Sequence, residues 1–67
     1  MVYLIEKTVS NNIPAKAIWD KADLNEALMA LHQVMASAMA SQNVTSALAM
    51  IIDERGATLK HEYWERT

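Results

Sequence analysis

Apolar and polar side chains alternate from Val2 to Val9 (VYLIEKTV): Tyr3, Ile5 and Val9 point one way, Glu6 and Thr8 the other. With its β-branched and aromatic content, this stretch predicts a first strand. Ser10-Asn11-Asn12-Ile13-Pro14 is turn chemistry, because Asn tolerates positive φ and Pro14 has no N–H to give a ladder. Ala15 to Asp20 (AKAIWD) carries Ile18 and Trp19 and suits an edge strand pairing back on the first.

The period then changes. Leu24, Leu28, Leu31, Met35 and Ala38 recur every three or four residues, which makes them one stripe of a helix built from Ala, Leu, Met and Gln. Asp23-Leu24-Asn25-Glu26 has the form of a capping box, with Asp23 accepting the Glu26 N–H and Glu26 reaching back. The helix is expected from Leu24 to about Ala40, closed by Ser41-Gln42-Asn43 with Asn43 left-handed.

Val44 to Ile52 reads as a strand, Asp53-Glu54-Arg55-Gly56 as a turn, and Ala57 to Arg66 as the returning strand. The chain's only glycine sits where a left-handed conformation is most often needed. Pairing Ile52 with Ala57 puts Met50, Leu48 and Ser46 on one face with Leu59, His61 and Tyr63. The other face then holds Ile51, Ala49, Ala47 and Thr45 with Thr58, Lys60, Glu62 and Trp64, and a bulge at Gly56 would shift the pairing by one. The first face matches a helix-covered core better. The expected fold is one α+β domain over residues 1–67, a small antiparallel sheet (β-β-α-β-β, or β-α-β-β without the second strand) with one helix packed on one face.

Size sharpens this picture. A chain of 67 residues is near the limit at which one core is stable alone, and partner subunits often supply the difference. The absence of cysteine excludes disulfides, thiolate metal sites and Cys nucleophiles, and fits a reducing compartment. Glu6 and Lys7 directly follow the apolar VYLI, which is too short and wrongly flanked for a signal peptide, so a cytoplasmic protein is expected. The net charge is −2 and the basic residues are scattered, which speaks against nucleic acid as a partner.

No Asp, Glu, Lys or Arg occurs between Glu26 and Asp53. The run contains His32, Gln33, Ser37, Ser41, Gln42, Asn43, Thr45 and Ser46, so it is not a membrane span. The helix face opposite the apolar stripe reads Met29, His32, Gln33, Ala36 and Ala40, flanked by Ala30 and Ser37. Solvated helices carry Glu and Lys pairs, and this one has none. Small, uncharged side chains let a second backbone approach closely, so this face is the expected oligomer interface.

Candidate chemistry is sparse. His32 stands in uncharged surroundings and could donate a hydrogen bond. His61-Glu62-Tyr63-Trp64-Glu65-Arg66 is the densest cluster of functional groups, but on a strand it divides between two faces. Two histidines on separate elements make no metal site. Ser37 follows His32 by five positions, which is not one helical face, and no paired carboxylates are spaced for acid–base work. Neither an enzyme activity nor a cofactor is expected.

The stretches EALMALHQVMASAMA (Glu26 to Ala40) and IIDERGATLKHEYWER (Ile51 to Arg66) resemble short proteins of low-GC Gram-positive bacteria and of their phages and prophages. That resemblance implies provenance and a phage-related role, and brings no activity with it. The expected function is a non-enzymatic homo-oligomer with a ligand or partner site at the subunit interface. Such a site would be lined by His32, Trp19, Arg55, His61, Tyr63, Trp64 or Arg66 and would hold a small nucleotide-like ligand, such as a signal of host defence. The alternative is a structural or inhibitory module that docks on a host protein and takes no small molecule.

Overall fold

The computed structural model describes residues 1–66, with the element order β1 (Val2–Ser10), β2 (Ile13–Lys21), α1 (Leu24–Ala40), β3 (Val44–Ile52) and β4 (Thr58–Glu65). The strands form one antiparallel sheet in the order β2-β1-β3-β4, and α1 crosses one of its faces. This is the expected α+β arrangement, β-β-α-β-β.

Asparagine makes the first hairpin tight. Asn11 and Asn12 have φ values of 54° and 66°, so the turn is just these two residues between the partners Ser10 and Ile13. Two successive positive φ angles match the twist of the flanking strands. Ile13 and Pro14, read as turn residues in the sequence, therefore belong to β2. Pro14 is tolerated there because β2 is an edge strand.

The helix begins as its cap dictates. The Asp23 carboxylate accepts the Glu26 N–H at 2.8 Å, while Glu26 accepts the N–H of Ala22 at 3.1 Å rather than that of Asp23. It ends at Ala40 as expected, with one difference in how it is closed. The capping residue is Ser41, with φ −84°, and Asn43 is not left-handed. The Ser41 N–H donates to the Ser37 and Ala38 carbonyls, and the Arg66 guanidinium donates to Ser41 O at 2.6 Å and to Met39 O at 3.5 Å.

The second hairpin turns on Asp53, whose carboxylate accepts the N–H groups of Arg55 (2.8 Å) and Ala57 (2.9 Å), and Gly56 has the expected positive φ of 88°. Ile52 pairs with Thr58 and Ile51 with Lys60, so Leu59 is the extra residue of a bulge. From there Met50 pairs with His61, Leu48 with Tyr63 and Ser46 with Glu65, two positions further on than an Ile52–Ala57 pairing predicts. A shift of two leaves the face groupings beyond the bulge as the sequence predicts them, whereas Thr58, before it, moves to the face of Ile52.

The choice of core face is reversed. The helix packs on Leu4, Ala47, Ala49 and Ile51 through Ala27, Leu31, Met35 and Ala38. Met50, Leu48 and Ser46, with Tyr3, Ile5 and Val9, lie on the uncovered side. The stripe also rotates: Ala27 is fully buried, whereas Leu24 is exposed. The physical reason is clearance. A helix axis can come close to a sheet where the interposed side chains are methyl groups, and four of the eight buried hydrophobic residues are alanine. Ala49→Leu is accordingly expected to overfill this contact and lower stability by about 1–3 kcal/mol in urea unfolding. An unchanged midpoint would show that the helix is free to lift.

Candidate functional site

Because the alanines draw α1 over β3, the β2 side of the same sheet face is left partly uncovered, and a groove of about 580 Å³ opens between helix and sheet. Its floor includes Leu4, Glu6 and Thr8 of β1, and its outer wall Trp19 and Lys21 of β2. The helix contributes Gln33, Val34 and Ser37, and Ser41 and Val44 close one end. The volume lies within the usual range for small-molecule sites, and apolar walls with a few convergent polar groups are their usual composition. Among the described residues, the side chains of Glu6, Thr8, Lys21, Gln33 and Ser37 make no hydrogen bond and no ion pair. The Trp19 side chain stands at the rim, 48% exposed.

The second feature is the uncovered sheet face. Cross-strand partners share a face, so its rows follow from the register. One row is Ile18, Ile5, Met50 and His61; the next is Lys16, Lys7, Leu48 and Tyr63. Asp20, Tyr3, Ile52 and Thr58 flank the first, and Pro14, Val9, Ser46 and Glu65 flank the second. Among the described residues, no element packs on this side. The Tyr63 hydroxyl donates to the Glu65 carboxylate at 2.9 Å, and this bond, with the carboxylate charge adding to it, holds the phenol above its ordinary value.

The residues nominated by sequence occupy different parts of the molecule. Trp19 lines the groove, and Gln33 faces it from the helix. His61 and Tyr63 stand on the open sheet face, and Arg55 is in the β3–β4 turn. His32, Met29, Ala36 and Ala40 are exposed on α1. Trp64 is half-buried beside the core, with the Arg66 guanidinium 4.9 Å from its ring centre. Arg66 also donates to Val44 O at 3.1 Å, so with its bond to Ser41 O it ties the end of β4 to the end of α1 and the start of β3. One copy therefore does not bring these residues into one site. Sequence reading missed Glu6, Thr8, Lys21 and Ser37, which converge only because the helix is displaced from the sheet's centre.

Among the described residues, no group of three or more His, Asp or Glu side chains is placed to hold a metal ion, and no helix is long and apolar enough to cross a membrane. Comparison with known protein families, with characterised proteins and with solved structures finds no match for this chain.

The placement of Arg66 yields a prediction. A cation that donates to the last carbonyls of a helix satisfies orphan acceptors and opposes the negative end of the helix dipole. Arg66→Ala should lower stability by about 1–2 kcal/mol, and Arg66→Lys should restore only part of it, since Lys lacks the planar fork. Equal unfolding midpoints for all three proteins would remove the clamp from the account.

Proposed function

We propose that this chain is a non-enzymatic, self-associating binding protein in which two copies pack their open sheet faces together, giving the layer order helix, sheet, sheet, helix. One observation carries the reading: most of the larger apolar side chains of the sheet lie on its uncovered face. Among the described residues, the large side chains that are fully buried are Leu4, Leu31 and Ile51. The uncovered face presents Ile5, Ile18, Leu48, Met50 and Ile52 with two tyrosines. Ile18 is 68% exposed and Tyr63 56%.

Size, charge and edge chemistry support a second copy as the occupant. Four strands about 4.8 Å apart and about 3.3 Å per residue give a face of roughly 19 by 30 Å, or about 570 Å² in projection. Two such faces exceed the roughly 1,000 Å² that a specific interface needs. Lys7 and Lys16 are balanced by Asp20 and Glu65, so the face is electrically neutral and can meet itself without net repulsion. Pairing through strand edges is disfavoured, because Pro14 interrupts the donors of β2 and the bulge at Leu59 twists β4. The accessible surface, 4620 Å², also exceeds the roughly 4,200 Å² typical of a monomer of this mass, as a one-sided sheet would require.

In this arrangement the helix grooves stay accessible on the outside, one per copy, as the places where a ligand or partner binds. A phage-related role, in which the assembly sequesters a nucleotide signal of host defence, fits a small protein built around such grooves. The outward helix face of Met29, His32, Ala36 and Ala40, from which Gln33 turns toward the groove, is a weaker candidate interface, since it offers smaller side chains.

Mass in solution distinguishes the two faces. Light scattering should give a dimer for the wild type. Met50→Lys, in the middle of the open face, should give a monomer or an unfolded chain, because an unpaired charge in a dry interface costs several kcal/mol. Ala36→Glu should leave mass and melting temperature unchanged. A dimer that survives Met50→Lys but is lost in Ala36→Glu would move the interface to the helix. A wild type that stays monomeric at high concentration would refute self-association and leave the open face to a different protein.

A further inference from the structure

The groove has an order along its length that the β1–β2 register fixes. Lys21 pairs with Val2, Trp19 with Leu4, Ala17 with Glu6 and Ala15 with Thr8. From one end to the other it therefore presents an ammonium, an indole, a carboxylate and a hydroxyl. Ala17 and Lys21 are four residues apart on a strand, which places the backbone positions of Glu6 and Lys21 about 14 Å apart. Both side chains shorten that gap from either end. Trp19 lies between them with its ring half-exposed. Gln33 and Ser37 line the helix wall opposite.

We infer that this groove takes a planar heteroaromatic ligand that carries adjacent N–H donors on one edge and an anionic group at the other end, the chemistry of a guanine nucleotide. A carboxylate such as that of Glu6 can only accept, so it pairs with two donors side by side. Guanine has such a pair, N1–H and the exocyclic amine. Adenine and cytosine place an acceptor beside their amine, and uracil places acceptors on both sides of its single N–H, so each sets a lone pair against the carboxylate. The indole of Trp19 provides a stacking surface for the base, which is sequence-tolerant on its own and leaves the choice of base to Glu6. The Lys21 ammonium meets the phosphate. Ser37, Thr8 and the Gln33 amide supply further partners at the Glu6 end.

This inference deepens the binding reading but uses residues of one copy only, so it stands or falls apart from the mass of the assembly. The test is calorimetric titration of the full-length wild type with guanosine monophosphate, guanosine and adenosine monophosphate. Guanosine monophosphate should bind at least tenfold more tightly than either of the others. Glu6→Gln, which puts an amide donor against the base edge, should remove most of the preference over adenosine monophosphate. Lys21→Ala should weaken guanosine monophosphate at least tenfold and leave guanosine unaffected, and Trp19→Ala should weaken all three. Far-UV spectra of the variants check that they fold, and the wild-type comparison of bases needs no variant. No binding of guanosine monophosphate at millimolar concentration, equal affinity for the adenine nucleotide, or a Glu6→Gln protein with the wild-type preference would each overturn the assignment.

Discussion

The close approach of α1 to β3, made through alanine, governs the rest of this structure. Ala47 and Ala49 on the strand are almost fully covered by a helix whose own buried positions include Ala27 and Ala38. Methyl groups let backbones come close and keep dispersion contacts dense, but each removes little apolar area from water. The contact therefore defines geometry more than it supplies stability. It also draws the helix to one side of the sheet, and that displacement opens the groove over β1 and β2.

A core this lean asks for apolar burial elsewhere. The larger side chains that could provide it, Ile5, Leu48, Met50 and Ile52 among them, point away from the helix on the other side of the sheet. In the proposed assembly those residues form a second core between two sheets, which is the usual remedy for a domain near the lower size limit. Self-association and ligand binding then occupy opposite faces of the same four strands.

Much of the fold was legible in local chemistry. The Asn11-Asn12 turn, the Asp23 cap, Gly56 and the apolar run of β3 each have a local physical cause that a sequence displays. The face that the helix covers was not legible, because alternation along a strand identifies two faces without saying which is inside, and residue size pointed the wrong way. The closure of the helix was legible only as far as Ser41: the guanidinium that meets its last carbonyls belongs to Arg66, just after β4 and 25 residues beyond the Ser41 carbonyl. The groove was visible only through Trp19. Glu6, Thr8 and Lys21 look like the solvated side of an edge hairpin until the position of α1 is known.

The most direct test of the account is an isotope-filtered nuclear Overhauser experiment on a mixture of labelled and unlabelled protein, read at the Met50 methyl group. The account predicts intermolecular cross-peaks from Met50 to side chains of the open face, such as Ile5, Ile18 and Leu48. Their absence, with cross-peaks instead from Met29 or Ala36 to the other copy, would contradict it.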